Sequence, residues 1–292
     1  MVGLLASIPS PSSGSIDVGP LQLHAYGVML LLGIVAATFL TGYRWTRRGG
    51  DWDLVFRVAM WGVAGGVVGA RLYHLATSWN EVPDEWWGPF AIWEGGLGVW
   101  GGIAGGVLAG AFVVKRAGES VLQFMDAVAP ALLLGQAIGR IGNYFNQELF
   151  GEPTDLPWAL EIDPVNRPDG FADAETFHPT FLYELGWNLI GVAVLLWIDR
   201  RFRIKPPGLF ALYVAWYTFG RTFEELIRID ASKEYLGFRI NFYVSVVLFV
   251  AAVLTFIWAQ RRSESAKPPS SRRGHDAPGL KKMALPKGRV RR

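Results

Sequence analysis

Apolar residues in this chain run in long stretches, and polar residues collect in the gaps between them. That pattern differs from the period-2 alternation of a half-buried strand. A helix needs roughly 20 mostly apolar residues to cross a hydrocarbon core of about 30 Å. The pattern predicts seven such helices, at about 21–43, 54–75, 91–114, 121–141, 179–199, 207–227 and 240–259. The expected fold class is therefore all-α, a polytopic membrane protein with seven transmembrane helices. The second and third spans are rich in glycine, as GVAGGVVGA at 62–70 and GGLGVWGGIAGG at 95–106. Small residues let membrane helices approach closely, so packing is the plain reading of both stretches.

Charge in the gaps sets an orientation. Arg44, Arg47 and Arg48 follow the first span, Lys115 and Arg116 the third, and Arg200, Arg201, Arg203 and Lys205 the fifth. Basic connections stay in the cytoplasm. Residues 76–90 carry Glu81, Asp84 and Glu85 without a lysine or arginine, and residues 142–178 set many acids against Arg167 alone. These connections are expected outside, which puts the N-terminus outside and the C-terminus in the cytoplasm.

Composition supports this class. The hydrophobic set makes up 51% of the 292 residues and the charged set only 18%, below the roughly 25% of ordinary soluble domains. There is no cysteine, which excludes disulfides and thiolate metal sites, and His24, His74, His178 and His275 lack ligand spacing. No metal or other cofactor is expected. Three regions follow: an extracytoplasmic segment at 1–20, unlike a cleaved signal peptide; a seven-span domain at 21–260; and a basic tail at 261–292, too polar to pack. The tail is expected to be disordered and cytoplasmic. Its charge reads as a topology and surface device, and no nucleic-acid partner is expected.

Polar residues inside or beside the spans mark the chemistry. In GRIGNYFNQELFG, residues 139–151, Arg140, Asn143 and Gln147 fall on one helical face, with Asn146 and Glu148 nearby. The plain alternative is a polar helix cap. In YTFGRTFEELIR, residues 217–228, Tyr217, Arg221, Glu225 and Arg228 form a second stripe, which can also be read as an ion-pair ladder of Arg221 with Glu225. Both stripes are expected near the outer leaflet. Paired guanidinium groups there suit a phosphate, which they grip through charge-assisted hydrogen bonds. HPTFLYE, residues 178–184, puts His178 at a helix start before Pro179, with Tyr183 and Glu184 one turn further in. Each of these has an ordinary structural use, Glu184 as the partner of some arginine. Tyr26, at the outer end of the first span, reads as an aromatic-belt residue.

Together these segments resemble the bacterial prolipoprotein diacylglyceryl transferase family. The family signature runs Gly-Arg-x-Gly-Asn-(aromatic or Leu)-x-Asn-x-Glu-x-x-Gly, and Gly139, Arg140, Gly142, Asn143, Asn146, Glu148 and Gly151 match each fixed position. The Tyr26-Gly27 pair, His178 to Glu184, and Tyr217 to Arg228 follow in the family's order, and the resemblance covers about residues 20–260. It implies an enzyme of the bacterial inner membrane, with its active site near the outer leaflet. Such an enzyme moves the diacylglyceryl group of phosphatidylglycerol onto the lipobox cysteine of a preprolipoprotein and releases glycerol 1-phosphate. Its partners are then phosphatidylglycerol, lipobox-containing preprolipoproteins and membrane lipids.

The resemblance also implies roles. Arg140 and Arg221 face the leaving phosphate, with His178 and Tyr26 as further catalytic candidates. Asn143, Asn146, Glu148, Gly151, Tyr217, Glu225 and Arg228 are implied in substrate binding. One departure matters: many members carry histidine in the glycine-rich third-span motif, where this chain has Trp100. Indole donates a hydrogen bond but accepts no proton, so a base at that position is excluded. His178, Glu148 and Tyr26 are the remaining proton acceptors, or arginine charge alone supports the thiolate. The rival classes are an anion transporter or channel and a non-catalytic lipid-binding protein. An internal repeat would favour the transporter, and GRIGNYFNQELFG has no second copy in the chain.

Overall fold

The structure, a computed structural model, describes residues 7–11, 13–18, 21–230, 232 and 234–262. The basic tail beyond residue 262, and with it the expectation of disorder there, lies outside the described residues. Seven helices follow in order: α1 Ala25–Arg47, α2 Trp52–Thr77, α3 Val99–Arg116, α4 Val121–Asn146, α5 Thr180–Arg201, α6 Gly208–Glu224 and α7 Ile240–Arg261. Among the described residues, six of them are long and apolar enough to cross a membrane; the exception is α6, at 17 residues. Leu31, Phe39, Trp61, Leu108 and Val247 remain more than half exposed. An outside this apolar suits lipid better than water.

The helix ends follow local chemistry. The Asp51 side chain accepts the Asp53 amide at 3.0 Å and caps α2, and Ser120 does the same for α4 through the Gln123 amide. Arginine or lysine occupies the last turns of α1, α3, α5 and α7, where it complements the carbonyl end of the helix dipole. Pro130 lies inside α4 and has no amide hydrogen to offer the Asp126 carbonyl. Arg44 of α1 fills that gap: its Nη2 donates to the Asp126 carbonyl at 2.9 Å and its Nε to the Ala127 carbonyl at 2.8 Å.

Helix α4 is the central element, packing on α1, α5 and α6, while α2 pairs with α3 and α6 with α7. The α2–α3 pair shows what its glycines do. A Cβ added at Gly69 would lie 2.3 Å from the Gly101 carbonyl oxygen, and one at Gly105 would lie 2.2 Å from that of Gly65. The two backbones touch, and no side chain fits between them. One buried cluster, including Trp45, Leu54, Val114 and Phe124, joins α1 to α4 at one end of the bundle. A second lies beyond the other end, where the segment 147–179 folds over the start of α5 around Phe150, Leu160, Ile162, Phe177 and Phe181. Burying each such side chain is worth about 1.5–3 kcal/mol, enough to order a connection that has little regular structure.

Three expectations change. The third span begins at Val99, not near 91. Gly95 and Gly96 take φ of 92° and 66°, which breaks the helix, and Arg71 holds the turn by donating to the carbonyls of Gly88, Pro89, Gly95 and Gly96. The first span begins at Ala25, because β1 Ser15–Val18 and β2 Leu21–His24 pair as an antiparallel ribbon before it. The chain is mostly helical rather than all-α, since β3 Leu160–Glu161 with β4 Thr176–Phe177, and β5 Glu234–Tyr235 with β6 Phe238–Arg239, add two more small ribbons.

Candidate active site

Arg140 sits near the C-terminal end of α4 and Arg221 near that of α6. Both side chains reach Glu184 of α5, which is only 2% exposed. Arg140 Nη2 lies 2.6 Å from one carboxylate oxygen of Glu184 and donates to the other at 2.7 Å; Arg221 Nη1 lies 3.2 Å from the first. A carboxylate this deeply buried requires charged partners, and two arginines supply them. Arg140 and Arg221 retain 18% and 12% exposure, so the pair stays open on one side.

From Arg140 the network runs to the chain leaving α4. Arg140 Nη1 donates to Asn143 Oδ1 at 3.2 Å, and the amides of Asn143 and Asn146 both donate to Glu148 Oε1, at 2.8 and 3.1 Å. Gln147 leaves this face. The helix stops at Asn146, Gln147 takes φ 49°, and its side chain turns to Asp163 instead. From Arg221 the network runs toward α7. Arg221 pairs with Glu224 at 2.9 Å and with Glu225, and Glu225 faces Arg239 Nε at 3.3 Å and Arg228 Nη1 at 4.0 Å. Asp230 closes the chain by accepting from Arg228 and from Arg239, both at 2.7 Å. Burial alone would raise the Asp230 carboxyl, but hydrogen bonds from Arg228 and Arg239 outweigh it and hold the group below the ordinary carboxylate value.

The remaining candidates fall at different distances from this cluster. Tyr217 is half-buried, one turn before Arg221 on α6, with its ring stacked 6.4 Å from that of Tyr213. Tyr26 lies against Gly142, where an added Cβ would come within 2.8 Å of its ring, and so stands over the Arg140 turn. Gly151 is clamped between two chains: its amide donates to the His178 carbonyl at 2.8 Å, and a Cβ there would lie 2.7 Å from the Ile227 carbonyl oxygen. His178 makes its side-chain contact elsewhere. Its Nδ1 lies 3.0 Å from the Tyr183 hydroxyl, which in turn accepts from Trp158. Trp100 is half exposed in the first turn of α3. Among the described residues no group of His, Cys, Asp or Glu could hold a metal ion.

Sequence reasoning named no site role for Glu184, Glu224 or Arg239. Glu184 had a signal, as a carboxylate one turn inside an apolar span. Arg239 had none, because an arginine just before a span reads as an interface anchor.

Fold and cluster together define a class: a helical, multi-span membrane protein built around paired guanidinium groups that share a buried carboxylate. Comparison with known proteins narrows it. The family model described as prolipoprotein diacylglyceryl transferase matches residues 14–258. Curated relatives called phosphatidylglycerol–prolipoprotein diacylglyceryl transferase include one from Frankia alni, 46% identical over 92% of this chain and 72% of the relative. One from Cutibacterium acnes is 45% identical over 92% of each chain. Another from Streptomyces coelicolor, numbered 2 in its name, is 44% identical over 94% of this chain and 88% of its own length. The chain belongs to the prolipoprotein diacylglyceryl transferase family.

Proposed function

We propose that this protein transfers the diacylglyceryl group of phosphatidylglycerol to the cysteine thiol of a preprolipoprotein lipobox, forming a thioether and releasing glycerol 1-phosphate. The observation that carries this reading is the meeting of Arg140 and Arg221 on one carboxylate, from two different helices. The reaction is substitution at a saturated carbon: a C–S bond forms, the C–O bond to phosphate breaks, and the thiol gives up its proton. The protein must hold the phosphate, set the sulfur opposite it and favour the thiolate. Arg140 and Arg221 supply positive charge where the departing phosphate gathers negative charge, and a water-poor setting strengthens that effect. Asn143, Asn146 and Glu148 orient Arg140 and the glycerol headgroup. Tyr217, Glu225 and Arg228 shape the far wall, and Gly151 admits the chain that carries them.

Trp100 supplies no base here, and His178 is engaged with Tyr183. Cation-assisted loss of the thiol proton is the economical account, with Tyr26 and Glu148 as candidate acceptors.

This reading places α1 to α7 as seven spans of the bacterial inner membrane, within a catalytic domain at 21–260. The N-terminal segment lies outside, the site is near the outer leaflet, and the basic tail at 261–292 is cytoplasmic.

Purified full-length protein, given phosphatidylglycerol and a lipobox peptide, is expected to release glycerol phosphate and raise the peptide mass by one diacylglyceryl group. Arg140→Ala should abolish both signals. Arg140→Lys should retain about 1% of turnover, because an ammonium cannot reproduce the paired guanidinium contact. Normal turnover in both variants would remove the phosphate clamp from the mechanism.

A further inference from the structure

The end of the bundle remote from Arg140 and Arg221 holds a second, separate concentration of guanidinium groups. A cleft of about 510 Å³ opens between the last turns of α1 and α5. Tyr43, Arg44 and Arg47 line it from α1, Arg48 from the cap that ends that helix, and Leu196, Asp199 and Arg200 from α5. Its floor is tied to α4 through Arg44 and the Asp126 carbonyl, about four helical turns or roughly 21 Å along α4 from Arg140.

Four arginines here face one carboxylate. Asp199 is taken by Arg44 at 3.2 Å and Arg48 at 2.7 Å, which fixes the two walls relative to each other. Arg47 donates to the Tyr43 hydroxyl at 2.8 Å and lies over that ring, and neither it nor Arg200 forms an ion pair among the described residues. Two helix C-termini alone would repel an anion; the unneutralised guanidinium groups reverse that sign.

The shape points to a lipid rather than a free solute. Helices α1 and α5 both pack on α4 but hardly on each other, so the cleft opens sideways between two apolar helix faces. Phe39, one turn from Tyr43, and Trp197, next to Leu196, are about 60% exposed beside it. We propose that this cleft binds the phosphate headgroup of an anionic glycerophospholipid from the leaflet opposite the Arg140–Arg221 cluster, with its acyl chains along α1 and α5. The assignment does not depend on the transfer reaction.

The test uses phosphatidylserine as the anionic probe and phosphatidylcholine as the neutral reference, with native mass spectrometry of full-length protein reading how many lipids stay bound. Arg47→Gln/Arg200→Gln should lose one tightly held phosphatidylserine, with affinity at that site falling roughly thirtyfold, or about fivefold for each guanidinium removed. Arg201→Gln/Arg203→Gln, which removes two exposed arginines outside the cleft, should keep it. Excess inorganic phosphate should fail to displace it. Photoactivatable phosphatidylserine on the unaltered protein should crosslink to residues 43–48 or 196–200. Equal retention in Arg47→Gln/Arg200→Gln and unaltered protein, equal loss in both double variants, displacement by inorganic phosphate, or crosslinks confined to other helices would each overturn the assignment.

Discussion

At the scale of single residues, the site depends on carboxylates that hold arginines in place. Glu184 is shared by Arg140 and Arg221, so Glu184→Gln leaves both cations without their common anchor. Small misplacement of a positioned group costs on the order of a hundredfold in rate. Turnover of phosphatidylglycerol by Glu184→Gln is expected to fall by about that factor while the protein still inserts, and a steady-state assay with a lipobox peptide measures it. Asp230 has a different signature. Its folded-state pKa is depressed, so the stability it adds is present above the unfolded carboxylate value of about 3.9 and lost as pH falls through the folded value. Asp230→Asn should therefore unfold at lower temperature than the unaltered protein at pH 7, and the gap should narrow as pH falls below about 3.9.

At the scale of elements, the helices were legible because length and apolar content mark most of them: six of the seven are long and apolar enough to cross a membrane, and the helix ends lie within about five residues of expectation except at the start of α3, which falls at Val99 rather than near 91. That end shows the limit of hydropathy. Residues 91–98 are apolar enough to extend α3, but Gly95 and Gly96 adopt left-handed φ and Arg71 reaches across from α2 to hold them, a contact no local window contains. The same limit hid which arginines Glu184 would meet, since Arg140 and Arg221 lie 44 and 37 residues away from it in sequence. Packing glycines were legible as a group and not individually. Gly69 touches backbone, whereas Gly139 has open space where a Cβ would go. Gly69→Ala should thus lower the thermal midpoint in detergent, at about 1–3 kcal/mol for overpacking. Gly139→Ala should leave the midpoint unchanged or raise it slightly.

At the scale of the whole molecule, the loop charges predict an orientation, and the chain's lack of cysteine makes a direct measurement of it simple. In intact cells, Asp173→Cys in the acidic connection should react with a membrane-impermeant maleimide. Arg203→Cys in the basic connection should react only after permeabilisation. The opposite pattern would invert the proposed topology. Both ends of the bundle are knit by arginine, yet differently. Near residue 126 the guanidinium of Arg44 repairs a backbone defect, while near residue 140 two guanidiniums wait on an internal anion. With Glu184 lodged between them, two like charges are kept side by side by the fold itself, so their mutual repulsion is offset before any chemistry is asked of them.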